Sequence, residues 1–143
     1  MKHVMLRMNG RQFFDVALDA LLKENGSLIM SAKNVKKDGS VRFWNFQPRI
    51  GRAGTPTGEK MRTGSGMKFD PRSRGMLPVV DLAKYREIVR YGKETGMPVD
   101  PSGAWRMISF DTLEWIQYCG VRFHFNCENG GDLNPYYTNP RNR

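Results

Sequence analysis

Residues 48–75 set the first constraint on any fold for this chain, because six glycines and three prolines in 28 residues forbid a long helix or strand there. Whatever core the protein has must be assembled from short elements on either side. The segment carries Arg49, Arg52, Lys60, Arg62, Lys68, Arg72 and Arg74 against Glu59 and Asp70, which is +5 of the chain's net +9. Structureless stretches of this length are functional loops or disordered. The whole chain, 143 residues, fits one domain of 1–143 with a Gly/Arg-rich loop at 48–75 and a polar tail at 127–143. A domain of that size buries roughly two-thirds of its unfolded surface and needs no staple. Cys119 and Cys127 are too few for a disulfide framework and fit a reducing compartment. No apolar run approaches a membrane span, and Lys2 and Arg7 interrupt any signal-peptide core. A soluble intracellular protein without a membrane partner is the expectation.

Outside the glycine-rich segment the hydrophobic periods are legible. Phe14, Leu18, Leu21 and Leu22 form a helical stripe within residues 12–24, and Asn25-Gly26 supplies the stop. Residues 27–34 read as a short apolar strand. Lys37-Asp38-Gly39-Ser40 then separates it from Val41–Phe46, where Val41, Phe43 and Asn45 face one way and Arg42, Trp44 and Phe46 the other. An Asp-Gly between two β-rich runs is the strongest hairpin signal in the chain. Met76–Leu82 reads as a strand, with Pro78 arguing for an edge or bulge. Tyr85, Ile88, Val89 and Gly92 repeat at helical spacing through residues 83–95. Two strands are expected at 104–110 and 112–116, broken at Asp111, and a third at 120–126, where Val121, Phe123 and Phe125 alternate with Arg122, His124 and Asn126. Five or six short strands, an N-terminal helix and an inserted helix describe a mainly β protein with helical additions, a small, strongly bent antiparallel barrel.

Three stretches carry a resemblance: Lys36-Lys37-Asp38-Gly39-Ser40-Val41-Arg42, Leu77-Pro78-Val79-Val80-Asp81-Leu82, and Gly103 to Leu113 with its Trp105-Arg106 pair. Together they resemble a family of small tailed-phage proteins with a Sm-like, Src-homology-3-type β-barrel, largely of unknown function. The resemblance spans residues 12–118. It implies a bacteriophage protein at work in the host cell cytoplasm and brings no catalytic residues with it. Within such a barrel Trp105 and Phe110 are core or edge residues, and Arg106 is expected to pair with Asp81 or Asp111.

Enzyme chemistry finds no support in the residue patterns. A phosphate loop needs Gly-x-x-x-x-Gly-Lys-Ser/Thr, whereas Gly58 is followed by Glu59-Lys60-Met61, with a carboxylate in the cradle and no hydroxyl for magnesium. Cys119, His124 and Cys127 lack the close ligand pairs of a zinc site. Ser109 or Cys119 with His3 or His124 matches no nucleophile signature. Asp15 and Asp19 sit on the solvent side of an amphipathic helix. Neither catalysis nor a metal or other cofactor is expected.

The basic segment points instead to a polyanionic partner, DNA or RNA, held through its backbone. Guanidinium groups fork onto phosphate oxygens, and five of the segment's seven cations are arginine. Lys36, Lys37 and Arg42 at the hairpin extend the cluster, together with Lys33; Phe43, Trp44, Phe46 and Phe69 flank these cations, the composition of a stacking surface with a charged rim, and Trp44 is the candidate to stack on bases. The same composition suits a solvated loop over a core that owns the aromatics. Two further readings follow from the charge and the fold type: a basic face that docks on a host protein, as an inhibitor of a host enzyme or defence factor would, and a homo-oligomer that extends sheets edge to edge.

Overall fold

A computed structural model describes residues 1–25, 29–48 and 71–132, side chains excepted at 18–25, 71, 72, 101 and 102. Among the described residues seven strands, β1 (Lys2–Met5), β2 (Met30–Val35), β3 (Val41–Gln47), β4 (Met76–Asp81), β5 (Trp105–Ser109), β6 (Leu113–Tyr118) and β7 (Val121–His124), form one sheet in the order β1-β7-β6-β2-β3-β4-β5. Two helices, α1 (Gly10–Asn25) and α2 (Leu82–Thr95), and a 3-10 turn at Phe110–Thr112 complete the architecture that concerns the site. The protein is thus mainly β, as expected, but the sheet is open and mixed. β1 runs parallel to β7, whereas the other five ladders are antiparallel.

Local chemistry accounts for the elements. Asn9 and Gln12 form a reciprocal cap on α1: the Gln12 N–H donates to Asn9 Oδ1 (2.8 Å) and the Asn9 N–H to Gln12 Oε1 (2.9 Å). Gly10 is required next to that cap, because a Cβ there would lie 2.2 Å from the carbonyl oxygen of Phe110. The hairpin turns at Gly39, whose φ of 85° is open to glycine at little cost. Its Asp38 carboxylate accepts from the Ser40 hydroxyl (2.6 Å) and N–H (2.9 Å), bonds that hold its pKa below the ordinary carboxylate value. Asp81 caps α2 by accepting from the Ala83 N–H (3.1 Å) and Lys84 N–H (3.4 Å). Pro78 pairs with Met107 of β5 at a part of β4 that the β3 ladder, confined to Val80 and Asp81, does not reach.

One cluster gathers the inner faces: Phe13, Phe14 and Ala17 from α1, then Met30 and Ala32, Trp44 and Phe46, Leu77 and Val79, Ile108, Ile116 and Tyr118, Val121 and Phe123 from successive strands. Residues from β5 and β7, five places apart in the sheet order, share that core, so the sheet must curl around α1. Phe14 meets Phe110 edge-on at 4.7 Å, and Phe13 lies 5.3 Å from Phe123. Each such ring contributes about 1.5–3 kcal/mol through burial. Asn34, a buried polar residue on β2, donates through Nδ2 to the Ser109 carbonyl (2.9 Å) and to the Thr112 hydroxyl. It clasps mid-sheet β2 to the end of β5.

Two regions differ from expectation. β1 has no counterpart among the expected strands, because only Val4 of its four residues is even partly buried. The start of the expected tail, residues 127–132, is bonded to the chain beyond β1: the Cys127 N–H donates to the Leu6 carbonyl (2.9 Å) and the Arg7 N–H to Gly131 (3.0 Å). Arg106 pairs with neither expected carboxylate, since its Nη1 donates to the Gly103 and Trp105 carbonyls, both at 2.7 Å. Asp81 is taken by Arg42 (3.1 Å) and Asp111 by Arg11 (3.8 Å).

Asn34→Ala should lower stability by about 1–3 kcal/mol, the net worth of its two hydrogen bonds to the half-buried Ser109 and Thr112, read as a shift of the urea midpoint without loss of the native circular-dichroism spectrum. A pH dependence is expected at the β1–β7 seam, where His3 Nδ1 and His124 Nε2 share a hydrogen bond at 2.9 Å. Desolvation, then the positive charges of His3 and Arg122, hold the His124 pKa below the ordinary imidazole value. The unfolded chain therefore binds the proton more readily, so stability is full above that ordinary value and falls as the pH drops through it. Thermal midpoints measured between about pH 8 and about pH 5 should decline less for His124→Gln than for the natural protein.

Candidate nucleic-acid interface

Arg49, Arg52, Lys60, Arg62 and Lys68 lie outside the described residues, and Arg72 is described in its backbone alone. Arg74 is exposed, on the 3-10 turn Pro71–Arg74. Lys36 and Lys37 are exposed at the hairpin. Both segments reach the same structural junction. The Phe110 N–H donates to the Gly75 carbonyl (2.9 Å), one residue from Arg74, while Asn34, two residues from Lys36, clasps Ser109. The turn at Phe110–Thr112 therefore gathers the hairpin base and the end of the basic segment at one end of the sheet. The Asp38 carboxylate is engaged by Ser40, and among the described residues no carboxylate lies within 4.0 Å of Lys36 or Lys37.

Arg42 and Trp44 occupy different ground from the lysines. The Arg42 guanidinium carbon lies 3.7 Å from the Trp44 ring centroid while Nη2 pairs with Asp81. Trp44 is 6% exposed and belongs to the core cluster, with Phe46 edge-on at 6.4 Å. Arg42 is thus a strut that joins β3 to the cap of α2 and lids an indole. The expected alternation in β3 holds, and its consequence is that Trp44 faces inward; the aromatic of this strand that meets solvent is Phe43, 69% exposed.

Trp115 and Arg122 were not singled out by the sequence patterns, yet they lie on that same outer face. In β6 the register slips between Lys33 and Asn34: Lys33 opposes Trp115, but Asn34 opposes Leu113. Glu114 is the extra residue of this bulge. Leu113, Ile116 and Tyr118 consequently all face inward, and Trp115 turns out toward the Arg122 guanidinium, whose carbon is 3.8 Å from its ring centroid. The signal in the sequence is a spacing of three followed by two among Leu113, Ile116 and Tyr118, where an unbroken strand would repeat by two.

Among the described residues, no three His, Cys, Asp or Glu side chains converge as a metal centre requires, and no helix is long and apolar enough to cross a membrane. Cys119 and Cys127 are not joined in a disulfide; Cys127 Sγ lies 4.0 Å from Met5 Sδ. No family model, curated protein or solved structure matches the chain. Trp44→Ala should cost about 3–5 kcal/mol in a denaturant titration, which identifies it as a packing residue.

Proposed function

We propose that this is a non-enzymatic nucleic-acid-binding protein, an accessory protein of the tailed-phage type its motifs resemble, that grips the sugar–phosphate backbone through the hairpin and the Gly/Arg-rich segment. The observation that carries the reading is the convergence on the Phe110–Thr112 turn of the hairpin bearing Lys36 and Lys37 and the segment end bearing Arg74. The segment that leads to Arg74 supplies +5 of net charge. Arginine and lysine side chains favour phosphate oxygens, contacts that fix position without reading sequence. The strand succession β6-β2-β3-β4-β5, with a 3-10 turn linking β5 to β6, supports assigning these five strands to the Src-homology-3 type of barrel, with β7 and β1 added at one edge.

Binding should be weakly sequence-dependent and steeply salt-dependent, with a loss of about a thousandfold in affinity between about 50 and about 200 mM salt for about six neutralised phosphates. Lys36→Ala with Lys37→Ala should reduce the slope of log affinity against log salt by about two. The thermal midpoint should hardly move, because both lysines are exposed. Affinity independent of salt, or no binding to DNA or RNA at low salt, would refute this reading and turn attention to a protein partner.

A further inference from the structure

The outer face of β3, β2, β6 and β7 carries a row of side chains that neither the core nor the hairpin explains. Phe43 opposes Lys33, Lys33 opposes Trp115, and Trp115 opposes His124, so aromatic and basic groups alternate across four strands. Lys33 Nζ lies 5.9 Å from the Phe43 ring centroid, and Arg122 covers Trp115 from the next row. The two aromatic centroids are 6.4 Å apart. The helices lie elsewhere: α1 fills the opposite face, and α2 runs from Leu82 beside β3 and β4. Phe43 remains 69% exposed.

Charge and shape select the occupant. Lys33 is paired with Glu114, but Arg122 donates to the neutral Gln117 Oε1 (2.9 Å), and among the described residues no carboxylate lies within 4.0 Å of it. The face therefore keeps a positive charge beside open π surface, which suits an anionic chain with planar groups. A duplex does not fit. Four strands at about 4.8 Å spacing span about 14 Å before side chains are added, more than the major groove's width of about 12 Å, and paired bases present no free faces. A single strand has both phosphates and free faces. The 6.4 Å between rings is nearly twice the base step of about 3.4 Å in a stacked strand, so neighbouring bases would be drawn apart onto separate supports.

We infer that this face binds single-stranded nucleic acid, with one base stacked on Phe43, its neighbour at the edge of Trp115, and Arg122 beside the phosphates. The inference rests on the nucleic-acid reading above and adds the strandedness and the stacking residue. Base–aromatic stacking tolerates any sequence, because every base has a π face; it therefore agrees with backbone-directed binding.

The test is fluorescence anisotropy at low salt with a labelled oligothymidylate of about 12 nucleotides, the matching oligouridylate and a duplex of equal length. Each is titrated with the natural protein, Phe43→Ala, Phe43→Leu and Phe43→Trp. Single strands should bind at least about tenfold more tightly than the duplex. Phe43→Ala and Phe43→Leu should each lose about tenfold on single strands and nothing on the duplex, while Phe43→Trp retains affinity. The thermal midpoints should be nearly equal throughout, since Phe43 is exposed. Single-strand affinity unchanged in Phe43→Ala overturns the inference and leaves the basic-segment reading standing. Failure of the natural protein to bind any of the three overturns both. Self-association lost in Phe43→Ala, without nucleic-acid binding, would assign the face to a second copy and likewise overturn the inference.

Discussion

The clasp from Asn34 to Ser109 and Thr112 is the contact on which the rest of the structure depends. β2 lies at the middle of the sheet and β5 at its edge, with β3 and β4 between them. A side chain on the first reaches the end of the second only if the sheet curls. The turn at Phe110–Thr112 then delivers β6 back to the free side of β2, and the core closes over α1. The buried amide commits its Nδ2 to this contact, because donors are costly to leave unpaired in a low-dielectric interior, while its Oδ1 has no partner among the described residues. The hydrophobic residues stabilise collapse in general; the amide specifies which strand ends meet.

The same locality decides the two faces. The register shift beside Asn34 admits Glu114 as an extra residue, keeps Leu113, Ile116 and Tyr118 in the core, and turns Trp115 outward. Without the bulge, strict alternation would send Trp115 inward with Leu113 and expose Ile116. The hairpin works in the opposite sense on its own aromatics. Trp44 is sealed under Arg42, whose second contact, to Asp81, joins β3 to the cap of α2. Phe43, one residue earlier, is left in solvent. Core and candidate surface are therefore consequences of the same strand pairings.

The parts of the fold legible in the sequence are those encoded by local period and turn chemistry: both helices, the hairpin at Asp38-Gly39, the break near Asp111 and the alternation of Val121, Phe123 and Phe125. Long-range pairing hid the rest. β1 joins β7 in parallel across more than a hundred residues, and its sequence, Lys2-His3-Val4-Met5, has too little apolar contrast to announce a strand. The sheet is consequently mixed where an antiparallel barrel was expected. Among the candidate site residues, the exposure of Lys36 and Lys37 follows from their place beside a turn. Trp44 shares a face with Phe46 as alternation predicts, but which face of β3 is buried depends on the distant elements that complete the core, and the outward orientation of Trp115 depends on a one-residue slip opposite β2.

The most direct measurement is a nitrogen-edited NMR titration of the protein with a short single-stranded oligonucleotide. The account predicts that the Trp115 indole signal and the backbone amides of Lys33, Phe43 and Arg122 shift together, while the buried Trp44 indole stays in place. Shifts confined to α2, or a moving Trp44 indole beside a stationary Trp115, would contradict it.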